Sequence, residues 1–146
     1  SSRNSGTPAA TSRGMGASVV AAEYSRFVID LNRPDDDKPL YAGATTGLYP
    51  ATLFDGVPLF REGLEPSAEE RATYLQQVWM PYHQALQQEL ARIHAAHGRA
   101  VLWEGHSIRS VVPFLFEGRL PDFNLGTAGG ASCSPALQQA LEAVEV

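Results

Sequence analysis

Glu104, Gly105, His106 and Ser107 put a carboxylate, an imidazole and a hydroxyl at the end of an apolar run, Ala100 to Trp103. Four apolar residues between a glycine and a polar cluster suit a buried strand, and sites in open α/β sheets are built where strands end. Glu104 and His106 are two apart, so in a straight strand their side chains share a face. That suits a metal-ligating or basic histidine beside an acid/base carboxylate, or a carboxylate that orients the histidine. The competing reading is a histidine that only hydrogen-bonds a loop. Arg33, Arg109 and Arg119 each stand at the end of an element, and converging guanidinium groups would bind an acidic ligand bidentately; isolated surface arginines are the alternative.

Other chemistries fit less well. Ser107 lies outside a G-x-S-x-G elbow, which disfavours a serine hydrolase. The glycines of Leu125 to Gly130 are not followed by Gly-Lys-Ser/Thr and lack a dinucleotide-site context, so they read as a tightly turning loop. His83, His94 and His97 do not form a His-Glu-x-x-His zinc pattern. His94 and His97 read as solvated partners of a helix C-terminus, and His83, beside Pro81, as structural. The three aspartates Asp35 to Asp37 read as a solvated turn rather than a metal loop.

The elements that must position these residues follow from pattern. Ala17 to Ala22 and Phe27 to Leu31 read as short strands, and Asn32, Arg33 and Pro34 end the second. Lys38 to Leu64, rich in Gly, Pro and aromatics, reads as an ordered loop with short strands. Ser67 and Glu70 form a capping box that opens the longest helix. Its stripe is Leu75, Val78, Trp79, Tyr82, Leu86, Leu90 and Ile93; Pro81 should kink it and Gly98 should end it. Ser134 and Pro135 start a last helix over Ala136 to Val146.

The chain has 146 residues, enough for a domain with its own core. The expected division is a lead-in over 1–13, without fixed structure or foreign to the fold, and one α/β hydrolase-like domain over 14–146. A net charge of −5 gives no reason to expect nucleic acid. No apolar run approaches the roughly 20 residues that span a bilayer, and Ser1 to Gly16 lacks the apolar core of a signal peptide. The lone Cys133 excludes an intrachain disulfide and fits a reducing, cytoplasmic setting.

Tyr24 to Pro34, YSRFVIDLNRP, resembles a signature of the N-formylglutamate amidohydrolase family. Further blocks follow in order: Thr45 to Pro50, Phe54 to Gly56, Pro81 to His83, Leu102 to Ser110 and Phe116 to Thr127. The resemblance implies a three-layer α/β sandwich, a phosphorylase/hydrolase-like mixed sheet with flanking helices. It implies a hydrolase using zinc or another divalent metal, and a small acidic substrate, N-formyl-L-glutamate, cleaved to formate and L-glutamate in histidine degradation. Carried over, His106 is a metal ligand, Asn32, Arg33 and Arg109 bind substrate carboxylates, and Glu104, where the family more often has Asp, is the catalytic carboxylate. Family segments bearing the other metal ligands are not matched: Asn4 stands where a histidine belongs, an acidic stretch is missing, and so are later Asn-Gly-Arg-Phe and Gln-Leu-Glu segments. The chain is therefore expected to be the middle of a deformylase, either part of an active enzyme or an inactive remnant that binds an acidic amino acid.

Overall fold

The computed structural model describes residues 16–38, 46–53, 55–113 and 116–144. The lead-in expected over 1–13, Asn4 included, lies outside them, as does part of the loop after Lys38. The chain divides into two compact units, Ser1–Ser107 and Ile108–Val146.

The helices described in the first unit run from Ala68 to His97. Helix α1 spans Ala68–Tyr74. The Glu70 N–H donates to Ser67 Oγ at 3.2 Å and the Ser67 N–H to Glu70 Oε2 at 2.8 Å, completing the capping box. Glu70 has its carboxyl held below the usual range, chiefly by that backbone donor. One π-helical turn, Leu75–Trp79, joins α1 to helix α2, Met80–His97. Proline cannot supply the N–H that an α-helical turn requires. Next to Pro81 the Met80 N–H reaches back five residues to the Leu75 carbonyl. The expected kink is thus an inserted residue, which rotates everything downstream by about 100° relative to a continuous helix. Gly98, at φ 69°, closes α2 with its N–H on the His94 carbonyl.

The three expected strands are not formed. Residues 17–22, 27–31 and 100–103 carry no ladder, and among the described residues the β pairing is a single antiparallel bridge, Thr52 to Pro58. That bridge closes a hairpin in which Leu53 N–H donates to the Val57 carbonyl and Leu59 N–H to Ala51, both at 2.8 Å. The reason is general: an apolar run specifies burial, whereas a strand exists only when a neighbour supplies its N–H and C=O partners. Around 25–33 most backbone bonds are local turns, Val28 N–H to Ser25 at 2.9 Å and Arg33 N–H to Asp30 at 3.0 Å, with one bond from Asp30 N–H to Leu48 and no ladder. At 100–107 no backbone hydrogen bond reaches another described segment, and Val101, Leu102 and Trp103 are 66%, 46% and 67% exposed.

The core of the first unit is the meeting of 29–30 with 46–50. Ile29 and Leu48 are fully buried, and Asp30 N–H donates to the Leu48 carbonyl at 2.8 Å. Asp37 is more than a solvated turn residue: its Oδ1 accepts the Leu48 N–H at 2.5 Å. A Cβ on Gly47 would meet that oxygen at 2.9 Å, so a side chain there would push the Asp37 carboxylate away from the Leu48 N–H.

In the second unit, Leu120 N–H donates to Ser110 at 2.8 Å and closes a loop over Val112, which is 2% exposed. The glycine-rich segment turns tightly at Ala128–Gly130. Helix α3, Pro135–Glu142, is capped by Ser134 Oγ as expected but stops short of the expected end at Val146, and Val144 is 62% exposed.

Candidate functional site

The Asp30–Arg33 turn is the most fully specified polar structure among the described residues. Asp30 is 4% exposed, inside the apolar run FVIDL. A buried carboxylate is tolerated only when paired and hydrogen-bonded. Here Oδ2 accepts from Arg26 Nη2 at 2.6 Å and Oδ1 from the Asn32 N–H at 3.1 Å. Arg33 is half-buried; Nε donates to the Thr46 carbonyl at 2.6 Å, Nη2 to Thr46 Oγ1 at 2.8 Å and Nη1 to the Asn32 carbonyl at 2.7 Å. A guanidinium has five N–H groups, so one on each terminal nitrogen is left, enough to receive a carboxylate.

The end of the π-helical segment and the start of helix α2 reach the Asp30–Arg33 turn too. Trp79 Nε1–H donates to the Arg33 carbonyl at 2.9 Å, and His83 Nε2 meets the Leu31 carbonyl at 3.0 Å. A carbonyl can only accept, so Nε2 carries the proton. The Trp79 and His83 rings stack with centroids 3.9 Å apart, and Tyr82 packs edge-on to His83 at 5.2 Å.

Glu104 and His106 do meet: Nε2 lies 3.4 Å from Oε2. The contact is long for a charge-assisted bond, and both side chains are more than half exposed, 54% and 58%. Because the carboxylate accepts, Nδ1 is the ring nitrogen open to a metal. Burial, and then the charge of Glu104, raise the Tyr82 phenol above its ordinary pKa of 10.0. The carboxylate is therefore within electrostatic reach of α2.

Arg109 and Arg119 are exposed and belong to the second unit, while Asn32 and Arg33 belong to the first. Among the described residues no three His, Cys, Asp or Glu side chains gather as a metal site would need. A catalytic zinc takes three protein ligands, so His106 and Glu104 fit as part of a donor set and do not complete one. No helix of the described residues is long and apolar enough to cross a membrane. A cavity of about 20 Å³ under Phe27, Tyr49, Phe60 and Arg71 has room for one water and not for a substrate.

Sequence reasoning missed Asp30, Thr46 and Trp79. A charge inside an apolar run was the available signal for Asp30, and the i, i+4 spacing of Trp79 and His83 was the signal for a shared face. Thr46 offered none.

The N-formylglutamate amidohydrolase family model matches residues 7–145. This chain belongs to that family. It is 70% identical over 132 residues to an N-formylglutamate deformylase of Pseudomonas putida, covering 90% of this chain and 49% of the relative. It is 68% identical over 130 residues to one of Pseudomonas aeruginosa, covering 89% and 49%. The chain thus spans about half the length of the curated relatives it matches. No solved structure matches it.

Proposed function

We propose that this chain is part of an amidohydrolase that cleaves N-formyl-L-glutamate to formate and L-glutamate, a step of histidine degradation carried out in the cytoplasm. The observation that carries the reading is the Asn32–Arg33 turn, a cationic donor set held rigidly with N–H groups to spare, in a chain so close to named deformylases. Arg33 and Asn32 take one substrate carboxylate. Water adds to the formyl carbon, the C–N bond breaks, and the amine nitrogen takes a proton. Glu104 is the carboxylate that receives the water's proton and returns it to the amine.

His106 would give one imidazole nitrogen to a zinc or other divalent ion, with further ligands from outside the described residues. When bound, such an ion polarises the formyl carbonyl and lowers the pKa of its water toward about 7. In this reading the apolar run 100–103 belongs to a three-layer α/β sandwich, and the exposure of Val101, Leu102 and Trp103 supports a face that the whole protein covers.

The test is formate release from N-formyl-L-glutamate with and without a chelator: chelator-sensitive release is expected, and none would sink the assignment. A second reading is an inactive module that binds an acidic amino acid, in line with the partial donor set among the described residues. Glutamate binding without stoichiometric metal would support it.

A further inference from the structure

Trp79, the last residue of the π-helical turn, and His83 of helix α2 present two N–H donors to one turn. Trp79 and His83 are i, i+4 neighbours, so they share a helix face. They engage the carbonyls of Arg33 and Leu31, at 2.9 and 3.0 Å, on either side of Asn32. Asn32 itself is exposed. The turn is held from below by Asp30, from the side by Thr46, and along its backbone by the helix. The π-helical turn Leu75–Trp79 sets the rotational phase of α2 relative to α1, and so the direction in which this face points.

We propose that Trp79 and His83 are positioning residues for substrate carboxylate recognition: their N–H groups fix the Leu31 and Arg33 carbonyls, so that the Asn32 amide and the Arg33 guanidinium are presented in one orientation before substrate arrives. The inference rests on the carboxylate-binding role proposed for Asn32 and Arg33. Neither ring touches the substrate in this account. A receptor fixed beforehand loses less conformational entropy on binding. Loosening it therefore raises KM and leaves the chemical step nearly unchanged.

The test uses the full chain and steady-state hydrolysis of N-formyl-L-glutamate. Trp79→Phe keeps an aromatic ring and removes the N–H with the five-membered half of the indole, and His83→Leu removes the other donor. Each should raise KM about 5- to 10-fold, with kcat within about 2-fold, the value of one net hydrogen bond. His83→Gln, whose amide can donate to the same carbonyl, should restore KM to within about 2-fold of the parent. Slowed solvent exchange of the Trp79 indole N–H reports the brace independently of turnover; exchange as fast as free indole would overturn it. Arg33→Lys separates the two claims. If it raises KM while Trp79→Phe and His83→Leu leave KM unchanged, the positioning role is wrong. If Arg33→Lys leaves KM unchanged too, the carboxylate-binding reading fails first and this inference fails with it.

Discussion

The turn at Asp30–Arg33 and the segment at Glu104–His106 carry the two halves of the proposed chemistry, and they are built differently. The turn surrounds a carboxylate that is 4% exposed, and hydrogen bonds join it to its own backbone, Arg26, Thr46, Trp79 and His83. Glu104 and His106 have one long mutual contact on an extended, exposed segment. The proposed recognition turn is braced within the described residues, whereas the backbone at 100–107 makes no hydrogen bond to another described segment. A recognition turn can be complete locally because every partner lies within some fifty residues. A metal-and-base constellation draws its parts from more of the polypeptide.

Substitution tests this contrast most sharply. Asp30→Ala removes the buried member of an ion pair and leaves the Asn32 N–H without its acceptor. It should cost about 2–3 kcal/mol of stability, below the range for a wholly buried pair because Arg26 is 39% exposed. His106→Ala should stay within about 0.5 kcal/mol, as exposed positions do. Denaturant melts of the two variants measure the difference, and equal losses would break the comparison.

Acid should act next, and more weakly, on the tether between the N-terminal segment and α2. Glu89 binds Arg92 and Ser18, and those hydrogen bonds, Arg92 first, hold its pKa at about 2 against an ordinary 4.5. A depressed carboxylate pKa stabilises the fold above the unfolded value and loses that contribution as pH falls through the folded value. Stability should therefore decline between pH 4.5 and about 2, and Glu89→Gln should flatten that limb of an acid titration followed by circular dichroism.

The smallest effect is spectroscopic. Glu104→Gln should lower the Tyr82 pKa, because it removes the lesser of two causes, yet leave it above 10.0, because burial remains. An ultraviolet tyrosinate titration reads the change. No movement would mean that the Glu104 segment lies farther from α2 than the structure has it.

What was legible in the sequence was local. The capping box at Ser67 and Glu70, the stop at Gly98 and the cap at Ser134 rest on bonds between residues three or four apart, and they stand as read. The family, too, was readable from the ordered motif blocks. The meeting of Glu104 with His106 follows from a two-residue spacing on extended chain. The strands were not legible, because an apolar run does not say which neighbour will pair with it, and residues 100–103 stand unpaired.

Only tertiary structure could decide that Asp30 is buried and satisfied, that Thr46 occupies Arg33, and that Trp79 and His83 grip the backbone around Asn32. The contacts of Thr46, Trp79 and His83 join residues 13 to 52 positions apart. Hydrogen-bond partners at such separations are chosen by how the chain packs, which no local spacing encodes.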